Sequence, residues 1–517
     1  ELQYKEYHHR QVFDHNMEQP LLAETARYDM STAGIVATMV ICVVIVCSKL
    51  YNRPHLPKGP GYLELINTFI ALGKGTHMHE VVRGFNKVYG DVFTLAMGQT
   101  SIVMVSSKDG LKEGMLTNGL DFADRPNLYA ANLNYGGDRN NGIFISDYNT
   151  KCKLKRKLFL SALRLRGEMQ VVLEQKILQE TLNVLQSFKQ QPKVGFDPKE
   201  IVMCSVMNIT FHILFNKHYT PDDKEFLTIM HNVDTRFRAY VTLLYLDLFP
   251  VLRLLPHKNR KTIEDCNNWL LELVQRFIDE HRSTLEDVTK PRDVIDKVLI
   301  EQEEDNDGQL LSDKDLQWSF VNVITAGFDT TGLTTLWGLA LLAKNPNIQN
   351  KLQSELRTSF KEDENIRWQD RKRCPYLEAT VLEIQRCSNI STFAPNRARK
   401  NTTIQGHNIP EGVNVFFCLW SYHLDPRYWE RPMEFDPTRF LDPAGEVFRQ
   451  ETVMTFGLGP RLCPGESLAR MELLMFFGNV FKNLKVTFAE NSKNFDFIPA
   501  KNSLPLSPKS YHICANY

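Results

Sequence analysis

Charged and apolar residues recur at helical spacing through most of the chain, above all between 165 and 300, and three stretches break that pattern. Residues 30–48 carry no charge, and nineteen helical residues span roughly 28 Å, about the hydrocarbon thickness of a bilayer. The segment begins thirty residues in and is followed by Lys49, Arg53 and Lys58, unlike a signal peptide. It predicts a transmembrane anchor over 30–50 behind a polar tail at 1–29, with the main body on the cytoplasmic side. Residues 240–256 are apolar, broken by Pro250 and Pro256, and too short to cross a bilayer. They predict membrane contact or a substrate entrance, with a plain core helix as the competing reading. Residues 316–344 are apolar almost all round, which predicts a buried helix.

The rest falls into shorter elements. Prolines at 54, 57 and 60 make 51–61 a stiff linker. A short amphipathic helix is predicted at 78–89, then strands at 91–97 and 101–105 around Gly98-Gln99-Thr100. Residues 126–147 lack periodicity and predict a long binding loop, and 301–308 an exposed acidic loop. Helices are predicted at 376–387 and 466–481, with short strands over 402–415 between them. No linker divides 62–517, which reads as one domain.

Composition narrows the picture little. Lysine plus arginine and aspartate plus glutamate both total 61, so nothing argues for nucleic acid as a partner. Ten scattered cysteines, without a C-x-x-C, argue against a disulfide framework or structural zinc and fit a reducing compartment.

The chemistry concentrates near the C-terminus, in Phe456-Gly457-Leu458-Gly459-Pro460-Arg461-Leu462-Cys463-Pro464-Gly465. Two glycines and a proline force a tight turn. Cys463 follows Arg461 and opens a helix, both of which favour thiolate, a soft ligand for iron. A buried structural thiol is the alternative. In the apolar helix, Asp329 and Thr330 are costly to bury unless they have work to do. The segment 152–157 opens a basic helix that carries Arg156, and its lysines alone would read as a solvated face.

The spacing Phe-x-x-Gly-x-Arg-x-Cys-x-Gly resembles the haem loop of the cytochrome P450 superfamily, and the other motifs follow in that family's order over residues 50–517. The resemblance implies a mainly α fold with a small β region near the amino-terminal side, preceded by one transmembrane helix. It implies haem b, with Cys463 as axial ligand in a loop shaped by Phe456, Gly459 and Gly465, and Arg461 and Arg156 on the propionates. Cys152 replaces the usual tryptophan, and Asn396 stands where relatives carry His or Arg for a propionate. Thr330 and Asp329 would serve oxygen binding and proton relay. Glu383, Arg386 and Arg439 would form a buried network beside the cysteine loop.

The resemblance is strongest to animal microsomal enzymes, in particular steroid and aryl-hydrocarbon hydroxylases. It implies a monooxygenase on the endoplasmic reticulum membrane, facing the cytoplasm, acting on a flat lipophilic substrate near Phe328, Phe393, Ala394 and Leu504. No flavin or dinucleotide motif occurs, so electrons from NADPH would come through NADPH–cytochrome P450 reductase, with cytochrome b5 as a second donor. Lys151, Lys153, Lys155 and Lys157 are the candidate docking cations. A haem-thiolate isomerase or dehydratase and a non-catalytic haem sensor are the rival functions.

Overall fold

The computed structural model describes residues 55–516, apart from 74, 98–99, 164–167, 304–310 and 501–504. The expected anchor at 30–50 and the expected substrate contact Leu504 lie outside the described residues. Among the described residues, no helix is long and apolar enough to cross a membrane.

In chain order the helices are α1 (Tyr62–Gly73), α2 (Met78–Tyr89), α3 (Lys108–Lys112), α4 (Tyr129–Asn134), α5 (Thr150–Leu163), α6 (Glu168–Gln190), α7 (Lys199–Phe215) and α8 (Lys224–Leu243). Then come α9 (Tyr245–Leu248), α10 (Lys258–Thr284), α11 (Val294–Glu303), α12 (Asp313–Lys344), α13 (Pro346–Ser359), α14 (Pro375–Ser388), α15 (Leu419–His423) and α16 (Glu466–Asn483). A four-stranded sheet joins β1 (Val92–Met97) and β2 (Thr100–Val105) to β3 (Ala394–Arg397) and β6 (Asn414–Phe417), in the order β1-β2-β6-β3. β1 and β2 pair antiparallel, β2 and β6 parallel, and β3 and β6 antiparallel. Hairpin β4 (Thr402–Ile404) with β5 (His407–Ile409), and the pair β7 (Lys485–Phe488) with β8 (Ile513–Asn516), stand apart. The β region therefore draws as much on the C-terminal half as on the N-terminal side, because β6 adds to the free edge of β2.

α12 is the axis of the helical core. It starts earlier than its apolar run, because Ser312 and Asp315 form a reciprocal cap: Ser312 Oγ accepts from the Asp315 N–H at 3.3 Å, and the Asp315 carboxylate accepts from Ser312 N–H at 3.1 Å. The same carboxylate takes Lys151 Nζ at 2.8 Å and Lys155 Nζ at 2.9 Å, tying α5 to the start of α12. Burial pushes Asp315 up, but Lys151, Ser312 and Lys155 outweigh it and hold the group at about 2. Gly327 lies against α7, where a Cβ would sit 3.0 Å from Thr210 Oγ1. That glycine serves helix–helix packing.

Two loop expectations change. Residues 126–147 contain α4 and a turn of 3₁₀ helix, Arg139–Asn141. α4 is pinned at its N-terminus by Asp247, whose carboxylate accepts from Tyr129 N–H at 2.5 Å and Ala130 N–H at 3.2 Å. Within 240–256, Leu243 and Leu246 are buried, whereas Val251, Leu254 and Leu255 are exposed. One part is core and the other an apolar surface.

Candidate haem-thiolate site

The cysteine loop closes on itself: the Cys463 N–H donates to the Phe456 carbonyl at 2.9 Å. Gly457 and Gly459 make this possible, with φ of 72° and 65°. At Gly459 a Cβ would fall 2.0 Å from the Met115 carbonyl, so no side chain fits. At Gly457 a Cβ would meet nothing, which leaves an open face beside the thiol. Gly465 caps α16, and a Cβ there would stand 3.9 Å from Cys463 Sγ. The Phe456 ring is covered by the Arg470 guanidinium of α16 at 5.2 Å.

Burial pushes the Cys463 thiol up, opposed by the Gly465 and Glu466 N–H groups at the start of α16 and by Arg156. The expected helix N-terminus is therefore in place, but the cation acting on the sulfur is Arg156 and not the adjacent Arg461. Arg156 Nη2 donates to the Leu462 carbonyl at 2.7 Å. Arg461 turns the other way, donating to the carbonyls of Ala123 (2.6 Å) and Ser146 and to Cys152 Sγ at 3.4 Å. Buried Cys152 thus acts as an acceptor for Arg461.

A third arginine, which the sequence reading missed, completes this cluster. Arg125 Nε donates to the Phe144 carbonyl at 2.9 Å, and its Nη1 to the Pro395 carbonyl and Asn396 Oδ1, both at 2.6 Å. Burial, and then Arg461 and Arg156, depress its pKa far below the usual arginine value. Asn396 uses its other end on the Phe122 carbonyl at 2.6 Å. Both ends of its amide are engaged, and its oxygen positions Arg125. Among the described residues none of the three arginines is ion-paired. The carboxylate acting on Arg461, Asp124, is held by Arg397 at 3.4 Å and Arg399 at 3.2 Å. A cleft lined by Met115, Arg125, Asn396, Gly457, Leu458 and Arg461 joins the cluster to the cysteine loop. Three neighbouring guanidiniums without an anion, beside an open glycine face and a thiol, fit a flat dianionic metal macrocycle such as haem b.

Glu383, Arg386 and Arg439 come together. Glu383 accepts from Arg386 Nε and Nη2, both at 2.7 Å, from Arg439 Nε at 3.0 Å and from the Asp436 N–H at 2.9 Å. Arg386 Nη1 also donates to the carbonyls of His423 and Pro432 at 2.8 Å. His423, not singled out from sequence, carries the network onward: its Nε2 accepts from the Met454 N–H at 3.0 Å, two residues before Phe456. Burial and Arg386 drive its pKa to about 3, so it is neutral and able to accept.

On α12, Thr330 is exposed and its Oγ1 donates to the Ala326 carbonyl at 2.8 Å, a bond that loosens the local ladder. Asp329 is half-buried; burial and then Asp234 of α8 push it up to about 7, with Lys199 of α7 opposing. It is thus poised between protonation states at neutral pH. Phe328, expected near substrate, is 3% exposed within the helical core. It lies two positions, about 200° of helix, from Thr330. Phe393 and Ala394 are half-buried, with Phe393 against Phe416 at 6.3 Å and Ala394 on the cleft of Arg125.

Of the four candidate docking lysines, Lys155 is fully buried, donating also to the Asn140 and Asn141 carbonyls, and Lys151 is committed to Asp315. Lys153 and Lys157 face outward.

Comparison with known proteins agrees with this geometry. The family model described as Cytochrome P450 matches residues 57–515. The chain is 31% identical over 482 residues to cytochrome P450 1A1 of Canis lupus familiaris, covering 89% of this chain and 91% of that protein. It is 28% identical over 514 residues to cytochrome P450 2U1 of Bos taurus, covering 93% of each. Cytochrome P450 1A5 of Gallus gallus is 29% identical over 486 residues, 90% of this chain and 91% of that protein. A thiol on a glycine turn, a partly buried arginine cluster without an ion-paired carboxylate and a family match over nearly the whole described chain lead to one conclusion: the protein belongs to the cytochrome P450 family, an enzyme of the monooxygenase class with haem b as cofactor.

Proposed function

We propose that this enzyme inserts one oxygen atom from O₂ into a lipophilic substrate, using electrons from NADPH delivered by a separate reductase. Cys463 would hold the iron, and Arg125, Arg156 and Arg461 the propionates. Bound there, haem supplies the oxygen activation. The chain's own residues supply the rest. The Gly457 turn keeps side chains off the ring plane. The Glu383–Arg386–His423 chain of bonds holds the approach to the cysteine loop in one geometry. Asp329 exchanges protons at its carboxylate, and Thr330 offers a hydroxyl on the same turn. The observation that carries this reading is the unpaired arginine cluster beside the thiol.

The intact Asp329–Thr330 pair favours a monooxygenase over a haem-thiolate isomerase, which needs no proton relay. The apolar surface of Val251, Leu254 and Leu255 supports contact with a membrane, and the uncharged segment 30–48 supports anchoring there, in the endoplasmic reticulum with the catalytic domain facing the cytoplasm. Relatives named cytochrome P450 1A1 and 2U1 favour a microsomal reductase as donor, with cytochrome b5 as a second. Phe393 and Ala394 remain the proposed contacts for a flat substrate body. Cys463→His should keep the fold but move the ferrous–CO Soret band away from the haem-thiolate position. An unchanged band would refute Cys463 as ligand.

A further inference from the structure

Among the described residues, two groups of three side chains bring histidine nitrogens and carboxylate oxygens within metal-binding reach of one another. One is closed. His281 of α10 uses both ring nitrogens, on the Phe277 carbonyl at 2.7 Å and on Asp293 Oδ2 at 2.9 Å. Asp296 is clamped by Arg292 at 2.6 and 2.8 Å. The chain itself occupies those atoms.

The other group, Glu180, His212 and His218, is open. Glu180 lies within α6 and is 3% exposed. His212 lies in the last turn of α7, and His218 just beyond that helix's end at Phe215. Asn216 ends α7 in the left-handed conformation, φ 48°, which turns the chain back. The Asn208 amide then grips the returning segment: it donates to the Tyr219 carbonyl at 2.8 Å and accepts from the Tyr219 N–H at 3.0 Å. These bonds hold His218 beside His212, with ring centres 5.2 Å apart. His218 Nε2 meets Glu180 Oε1 at 3.0 Å, and Asn183 Nδ2 donates to the same oxygen at 3.4 Å. Lys176, one turn earlier on α6, directs its ammonium at Asn216 Oδ1 (2.8 Å) and at the His212 carbonyl (3.4 Å).

His212 Nδ1 is buried and has no hydrogen-bond partner. Either tautomer leaves that atom unsatisfied, as a lone pair without a donor or an N–H without an acceptor. One ligand atom from each of the three residues lies within 4.8 Å of the other two. The His218 side chain is 45% exposed, so the cluster can be reached from solvent. A simple ion pair would need only Glu180 and His218, and gives no reason for a second imidazole with an unsatisfied nitrogen beside them.

We infer that Glu180, His212 and His218 form a zinc site that ties α6 to the C-terminal end of α7. Two imidazoles and one carboxylate are a suitable donor set for Zn²⁺ and leave a fourth position for water. Zinc would displace the proton between His218 and Glu180 to solvent and give His212 its missing partner. No cysteine takes part, so the cysteine spacing holds no sign of this site.

The test uses the haem-loaded whole chain, stripped of metal by dialysis against a chelator, with Zn²⁺ as the only added ligand. Equilibrium dialysis with metal analysis should show one zinc per chain taken up at micromolar free zinc. Zinc-edge X-ray absorption should show nitrogen and oxygen donors at about 2.0–2.2 Å. His212→Ala and His218→Ala should each weaken uptake at least about tenfold, since even the outer partners of a metal are worth that much. Zinc should raise the thermal midpoint of the wild type and of neither variant. The inference is overturned if the wild type takes up no zinc at micromolar concentration. It is overturned equally if either histidine variant, folded by circular dichroism, binds zinc as the wild type does. Should His212→Ala fail to fold, His218→Ala and Glu180→Gln decide by the same criteria.

Discussion

Two groups of arginines lie wholly or partly buried, and they are built on opposite principles. Arg386 and Arg439 surround Glu383, and four N–H hydrogen bonds converge on its carboxylate. Arg125, Arg156 and Arg461 hold no carboxylate of their own, the nearby Asp124 being paired with Arg397 and Arg399, and spend their donors on backbone carbonyls, Asn396 and Cys152. The first group is complete in the protein alone; the second is complete only with an anion from outside. A buried cation is informative about function mainly through what is missing beside it.

The comparison breaks most visibly through stability. Glu383→Gln leaves two guanidiniums with no counter-charge, and should cost about 3–5 kcal/mol. Denaturant unfolding of the haem-free protein measures it; a loss under 1 kcal/mol would put the two groups in one class. The second group should behave the opposite way. Arg125→Met removes like-charge repulsion, so the haem-free protein should be unchanged or up to about 2 kcal/mol more stable. The same change should speed haem transfer to an apo-globin acceptor about tenfold, since a charge-assisted hydrogen bond is lost. A destabilised apo-protein with unaltered haem release would mean that Arg125 is structural.

Asp329 extends the contrast to the other sign, as a carboxylate whose strongest electrostatic neighbour is another carboxylate. Asp234 raises its pKa, so Asp234→Asn should lower it, and Lys199→Gln should raise it. If protonated Asp329 is the donor, the alkaline limb of the product-per-NADPH profile, near pH 7, should move to lower pH in the first variant and to higher pH in the second. A profile indifferent to both would separate Asp329 from proton delivery. The smallest effect belongs to charges in water. Lys153→Glu with Lys157→Glu should slow the first reduction by a reductase severalfold and flatten its salt dependence, with substrate affinity unaltered. Stopped-flow reduction at two ionic strengths checks it.

The cysteine loop, the Asp329–Thr330 pair and the Glu383 network were legible because their residues, or a fixed spacing between them, lie close in the chain. Arg125 was not: it stands in an ordinary-looking turn before Pro126, and its partners are Pro395 and Asn396. The same distance hid the fate of Asn396, whose amide is consumed by Phe122 and Arg125. Lys155 read as one of several solvated lysines because Asp315, which draws it inside, belongs to another helix. Helical periodicity placed α12 well, yet could not show that Gly327 faces α7 and that Phe328 is core. Local pattern reports which side of an element is apolar, and stays silent on which charges meet across the fold.

The parallel pairing of β2 with β6 has a consequence for how the enzyme comes into being. Ile102 lies opposite Asn414, 414 − 102 = 312 residues later. At about 5–20 residues per second on the ribosome, β2 is made roughly 15–60 s before the strand that covers its edge. During that interval the edge is open to mispairing and invites a chaperone. Cys463 is made later still. Cofactor loading is therefore a late event in biogenesis, and a nascent chain stalled before residue 414 should remain sensitive to protease across β1 and β2.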